Sequence, residues 1–330
     1  MSVLRGIVGT VIGVPLGVAV GWIVYSRTRI PHDLPLPPAV PGERRELASR
    51  VGALSYYVDG LEHGTPLLLI HSINAAGSAY EVGPLYRHYA ASRRVYALDL
   101  PGFGFSDRAD RNYTPRLMTD AIHAMVDEIR RIHGERPIDA LALSLSSEFL
   151  ARAAVERPDD YRGIALISPT GFSANTPERG AAGTNRGRPG LYNAFSFSLW
   201  NRPFYDALTS RPSIRYFLKK TWGSDKIDEN MLDYDYLTTH QPGAQNAPYY
   251  FVSGFLFSAD IRSVYQRLLQ PVLMIHGTRG DFQDYRGKQA VERKENWTIR
   301  VMQTGALPHF EALDEVVRAY DAFMGNIPGA

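Results

Sequence analysis

Ser144 closes an apolar run, Ile138-Asp139-Ala140-Leu141-Ala142-Leu143, and a helical pattern from Glu148 to Glu156 follows it. A serine at a strand-to-helix turn with small residues two positions to either side, here Ala142 and Ser146, has the steric form of a nucleophile elbow, where bulkier side chains would collide. The full elbow pattern is G-x-S-x-G and this chain has A-x-S-x-S, so the local string also fits a serine whose hydroxyl is satisfied inside a core. A serine hydroxyl attacks poorly at neutral pH unless an imidazole takes its proton and a carboxylate holds that imidazole. Both groups occur downstream. The short apolar strand Pro271 to Gly277 leads into a loop with Asp281 and Asp284. An alternating strand from Trp297 to Met302 is then broken by Gly305, and His309 stands at the mouth of an amphipathic helix, Phe310 to Met324.

Two further strands end in polar loops: Pro66 to Ile70 runs into His71-Ser72-Ile73-Asn74, and Val95 to Leu98 runs into Asp99-Leu100-Pro101-Gly102-Phe103-Gly104-Phe105-Ser106. With the oxyanion loop, the D-x-P-G-x-G-x-S segment, the elbow, the acid loop and the histidine loop in this order, the chain resembles α/β-hydrolase-fold proteins from Glu46 to Ile327. The resemblance implies an α/β fold: a mostly parallel sheet with helices on both faces and an inserted cap. It also implies that Ser144 attacks a carbonyl carbon, His309 takes the proton, and Asp281, favoured over Asp284 by position, orients the imidazole. The N–H groups of Ile73 and Leu145 would hold the oxyanion. Ester or related acyl hydrolysis follows, with no cofactor and no metal. Carbon–carbon bond hydrolases and cofactor-free haloperoxidases share the same triad. The chain departs from the family at Ser72, where glycine is usual, at Ala142 and Ser146, and at Asp281, four residues after Gly277 instead of three. These are features of a variant site, and they keep open a non-catalytic accessory subunit. His71 is expected to brace backbone, Asn74 to shape a turn, and Asp99 to cap the following loop.

The elements that must position these residues alternate from Glu46: strands at Leu67 to His71, Arg94 to Asp99 and Gly163 to Ser168, helices at Ala79 to Ala91 and Pro115 to His133. Such alternation predicts a parallel sheet whose functional loops gather at the carboxyl ends of the strands. About a hundred residues separate Ser168 from Pro271, too many for a structureless loop. They are assigned to a helical cap, residues 171–265, between a first body segment, 44–170, and a second, 266–330. The cap opens on a Gly/Arg-rich stretch, Pro177 to Gly190, expected to be mobile. Its many aromatics, among them Tyr192, Phe197, Trp200, Phe204, Tyr249 and Phe255, mostly pack against the body. The rest suit an apolar pocket for a hydrophobic or lipid-like substrate.

With 330 residues, 45% hydrophobic and 21% charged, the chain is long enough for one α/β core with an insertion. A net charge of +2 without a long basic run carries no nucleic-acid footprint. The absence of cysteine removes disulfides, thiol nucleophiles and thiolate zinc sites.

Gly6 to Tyr25 contains no charged residue. About 20 apolar residues span a bilayer core, so residues 1–30 are assigned as a single-pass transmembrane anchor, with a cleaved signal peptide as the alternative. Arg27 and Arg29 outweigh Arg5 and lean the catalytic domain towards the cytoplasm. Residues 31–43 form a proline-rich linker, read as a spacer that lifts the body off the membrane. Gly9, Gly13, Gly17 and Gly21 recur every fourth residue and lie along one ridge of a helix. They suit a helix partner or self-association, although glycines are also simply tolerated in membrane helices. If the ridge packs, Gly13→Leu shifts the full chain to a smaller species in mild detergent, read by analytical ultracentrifugation.

Overall fold

Apolar runs rich in Leu, Ile and Ala become the central strands because both of their faces are covered. The computed structural model describes residues 17–174, 176 and 180–327. A helix α1 (residues 17–29) precedes β1 (Glu43–Ser49), β2 (Gly52–Asp59) and β3 (Leu67–Ile70). A 3-10 turn, Ala79–Val82, leads into α2 (Gly83–Ala90), followed by β4 (Val95–Leu98), α3 (Pro115–His133), β5 (Ile138–Leu143), α4 (Ser146–Glu156) and β6 (Tyr161–Ile167). Then come α5 (Pro189–Ser196), α6 (Asn201–Leu208), α7 (Arg211–Trp222), α8 (Glu229–Thr239), α9 (Asn246–Val252) and α10 (Ile261–Arg267). The chain closes with β7 (Val272–Gly277), β8 (Trp297–Met302), α11 (Pro308–Glu311) and α12 (Leu313–Gly325).

The eight strands form one sheet in the order β1-β2-β4-β3-β5-β6-β7-β8. The pairs β1–β2 and β2–β4 are antiparallel and the others parallel, as the alternation predicts. Successive side chains of β5 serve opposite faces. Ala140 and Ala142 join a core with α3 and α4 residues such as Met125 and Phe149, while Leu141 and Leu143 join one with Leu85 of α2 and Tyr320 of α12. Asp139, the one charge on β5, is buried and held by the guanidinium groups of Arg93 and Arg162.

The residues between β6 and β7 form structure of their own, but two expectations change. The start of the cap is tied down: Arg186 N–H donates to Phe257 O (3.0 Å), Arg188 N–H to Ser253 O (2.9 Å), and Ala259 N–H to Thr184 O (2.9 Å). Residues 177–179 of that stretch lie outside the described residues. Helix α10, at the end of the insertion, packs on the body: Ile261, Val264 and Tyr265 share the core of α3 and α4, as do Ala247, Tyr250 and Leu256 of the cap. The proline-rich linker does not hold the body away. Tyr234 Oη donates to Pro37 O (3.0 Å), Leu34 N–H to His240 O (3.4 Å), and Ala39 and Val40 are buried. Apolar side chains in the linker gain more by covering the body than by standing in water.

The anchor assignment falls largely on residues 1–16, outside the described residues, as do Gly9 and Gly13. Among the described residues no helix is long and apolar enough to cross a membrane. Helix α1 instead meets the cap: Trp22 Nε1 donates to Pro203 O (2.8 Å) and Ser26 Oγ to Asp206 (2.5 Å).

Arg152 of α4 and Asp260 just before α10 form a buried pair (2.5 Å) that locks the end of the insertion onto the body. Removing one partner strands the other charge. Asp260→Ala is therefore expected to lower unfolding stability by about 3 kcal/mol in urea titrations, well beyond the effect of the surface change Asp225→Ala.

Candidate active site

Ser144 sits between β5 and α4 at φ +50°, a left-handed conformation that non-glycine residues seldom adopt. Its N–H donates to Ile167 O of the neighbouring parallel strand (2.8 Å), and its carbonyl accepts from Ser147 N–H (3.1 Å). Ala142 and Ser146 are fully buried beside it, so only small side chains fit where the strand reverses. The strand run, the sharp turn and the helix match the elbow expected from sequence. Ser168, at the end of β6, shares the unusual backbone with φ +48°. Nothing in its local sequence signals that.

The loop after β3 is braced from below by a residue that the sequence reading passed over. Glu81 is buried, and its carboxylate accepts from Ser72 N–H (2.7 Å) and from Asn74 Nδ2 (2.6 Å). Burial raises its pKa above the ordinary carboxylate value, and the Ser72 and Asn74 hydrogen bonds partly offset that. An acid within the otherwise apolar turn Ala79–Val82 was the available signal. Asn74 also accepts from Ala76 N–H (2.6 Å), the turn-forming role expected of it. His71 braces backbone as expected: Nδ1 donates to Ser72 O (2.6 Å) while Nε2 accepts from Leu100 N–H (3.0 Å). Burial lowers its pKa to about 4. Among the described residues neither Ile73 N–H nor Leu145 N–H is given to a protein acceptor, so both can serve an oxyanion.

Asp99 caps its loop. Its carboxylate accepts from Phe105 N–H (3.0 Å) and Ala79 N–H (2.9 Å), and burial pushes it up to about 6. Gly104, at φ +52°, has no room for a side chain, because a Cβ there would lie 2.0 Å from the Asp99 carboxyl carbon.

His309 is fully buried at the start of α11. Its Nε2 lies 2.7 Å from the backbone carbonyl of Glu81; a carbonyl can only accept, so Nε2 carries the proton. Nδ1 is then the free basic nitrogen, buried without a hydrogen-bond partner. Asp281 does not hold this imidazole, contrary to the expected arrangement. Its carboxylate is over half exposed and faces Lys220 Nζ (3.5 Å), where solvation and an opposite charge favour it over a dry neutral imidazole. Asp284 is also turned elsewhere, accepting from Ala174 N–H (2.9 Å) and pairing with Arg286 (2.8 Å), which holds its pKa below the usual range. Glu81 thus ties the loop after β3 to the histidine, while Asp281 and Asp284 take other partners.

A model of the alpha/beta hydrolase family matches residues 67–319. The chain belongs to that family. No curated protein matches it by sequence. Family members among solved structures share its fold at low identity. A serine hydrolase involved in carbazole degradation aligns with TM-score 0.67 and 14% identity, over 86% of this chain and 99% of its own. A membrane phospholipase A aligns with TM-score 0.65 and 17% identity, over 99% and 98%. A carboxylesterase from Bacillus subtilis aligns with TM-score 0.64 and 16% identity, over 92% and 96%.

Burial lowers the pKa of His309 from 6.5 to about 4, with the Glu81 carbonyl opposing the shift. The unfolded chain therefore binds this proton first as pH falls, and stability is lost between pH 6.5 and 4. For this group alone the loss is about 3 kcal/mol. The raised carboxyls of Glu81 and Asp99 act in the opposite sense, so the observable is a difference between variants. In urea titrations across this window, wild type should lose about 3 kcal/mol relative to His309→Gln.

Proposed function

We propose that this family member is a serine hydrolase that cleaves a carboxylic ester or a related acyl bond of a hydrophobic substrate, attached to a membrane through its N-terminal segment. Ser144 at φ +50° on the β5–α4 turn carries the reading, because strained backbone of this kind is retained where it aims a reactive group. Ser144 Oγ attacks the carbonyl carbon as His309 accepts its proton. The Ile73 and Leu145 N–H groups bind the resulting oxyanion, each such donor contributing about 3 kcal/mol to the transition state. Collapse expels the alcohol, protonated by the imidazolium. Water, deprotonated by the same imidazole, then attacks the acyl-enzyme and frees the acid. Asp281 takes the orienting role once its loop leaves Lys220 and the imidazole turns from the Glu81 carbonyl. The scheme needs no cofactor.

The aromatic cap suits an apolar acyl group, and the uncharged run Gly6 to Tyr25, which continues into α1, suits single-pass attachment. The likeness to a membrane phospholipase A over 99% of the chain supports a lipid-like substrate. Self-association through the glycine ridge, including Gly17 and Gly21, belongs to the same reading. A second reading, a non-catalytic accessory subunit, is favoured by one observation: the unpartnered Nδ1 of His309 beside a surface Asp281.

A fluorophosphonate probe should label wild type and spare Ser144→Ala; equal labelling of both, or of neither, removes the hydrolase reading. On p-nitrophenyl esters, Asp281→Asn should lower kcat by about 10³ or more while Asp284→Asn stays within a fewfold. Equal activity of the two variants would take the orienting role from Asp281.

A further inference from the structure

Helix α1 touches the cap through Trp22, Ser26 and Arg27, and much of its remaining surface is exposed. Trp22 and Ser26, one turn apart, bind Pro203 O and Asp206. Arg27 reaches over the α5–α6 connection to the carbonyls of Ser198 (2.7 Å) and Leu199 (3.0 Å). On the same helix Val18, Val20, Val24 and Tyr25 are 68%, 55%, 55% and 52% exposed. The connection that Arg27 grips is apolar and uncovered as well, with Phe197, Leu199 and Trp200 at 50%, 49% and 42% exposure. The Phe197 and Trp200 rings lie 4.6 Å apart, and Arg27 ties α1 to this connection, so the two exposed sets sit on neighbouring, hydrogen-bonded elements. An uncovered aromatic and aliphatic patch on a soluble surface marks a contact site.

Two facts indicate what covers it. Arg27 and Arg29 stand exposed at its edge, and the chain leading into α1 from Gly6 carries no charge. Apolar and aromatic side chains rimmed by arginine match the headgroup–acyl boundary of an anionic bilayer. An uncharged apolar run of that length favours the same medium.

We propose that the cap docks on the membrane: the α5–α6 connection and the outer face of α1 seat together in the lipid interface, with the body on the far side. The insertion leaves from the carboxyl end of β6, the sheet edge that carries Ser144, so the cap lies between bilayer and nucleophile. A lipid ester then moves from bilayer to cap without entering bulk water. That last step rests on the hydrolase reading; the docking surface does not.

The chain has no cysteine, so a single one can be introduced cleanly into the full protein. An environment-sensitive nitrobenzoxadiazole label is placed at Leu199→Cys, or at Glu295→Cys beside the amino end of β8, the opposite end of the sheet. On phosphatidylcholine vesicles containing phosphatidylglycerol, the label at 199 should brighten severalfold, shift to the blue and be quenched by shallow doxyl lipids, while the label at 295 stays in water. The double variant Phe197→Asp/Leu199→Asp should keep hydrolysis of a short soluble ester and lose most hydrolysis of vesicle-borne ester. A label at 199 that stays wet on bound protein overturns the docking. So does one already shielded without vesicles in proportion to protein concentration, which assigns the patch to a second copy. An inactive protein whose label still responds refutes the hydrolase reading and leaves the docking intact.

Discussion

The reversal of the chain between β5 and α4 is the constraint around which the rest of the body is arranged. A strand hydrogen-bonded between parallel neighbours, β3 and β6, leaves the sheet in a single residue and becomes a helix. Only a left-handed residue makes that turn, and Ser144 does so at φ +50°. Strain of this size persists when surrounding contacts over-determine it. Here they include the Ile167 and Ser147 hydrogen bonds and the close packing around Ala142 and Ser146. The replacement of both pattern glycines is accommodated because a methyl and a hydroxymethyl still fit.

Around the elbow, rigidity comes from buried polar groups, each satisfied by backbone. His71, Glu81 and Asp99 are all buried, and each ties one loop to another: His71 to Leu100, Glu81 to Ser72, Asp99 to Ala79. A buried charge or imidazole is costly unless its hydrogen bonds are met, so these groups hold their loops to defined positions. Glu81 is the hub, bracing the loop after β3 with its carboxylate and the histidine with its carbonyl. Serine in place of glycine at position 72 fits this scheme, since its hydroxyl accepts from Asn74 Nδ2 (3.0 Å).

The amino-terminal segment and the cap form one unit through Asp206. This buried carboxylate takes Ser26 Oγ at 2.5 Å, His32 Nε2 at 3.1 Å and Arg202 Nε at 3.4 Å. A segment tied this firmly cannot act as a loose tether. Its orientation and that of the cap are fixed to each other, and through Ala39 N–H, which donates to Tyr57 Oη of β2 (3.1 Å), to the body as well.

Much of this was legible in the sequence because it is local. Strand β8 and helix α3 have the ends that the residue patterns indicate, and Thr114 Oγ1 caps α3 by accepting from Leu117 N–H (3.2 Å). The small residues around Ser144 announced the elbow for the same reason, and the roles of His71, Asn74 and Asp99 followed from the loops that hold them. What the sequence by itself determined, then, is the order of strands and helices, the elbow and the loops that face it, since periodicity and turn chemistry act over a few residues. Only the tertiary structure decided that Glu81 braces the site, that Asp281 prefers Lys220 to His309, and that the proline-rich stretch and α1 lie on the cap. Each of those outcomes is a competition among partners far apart along the chain, settled by burial and charge, and no local pattern records it.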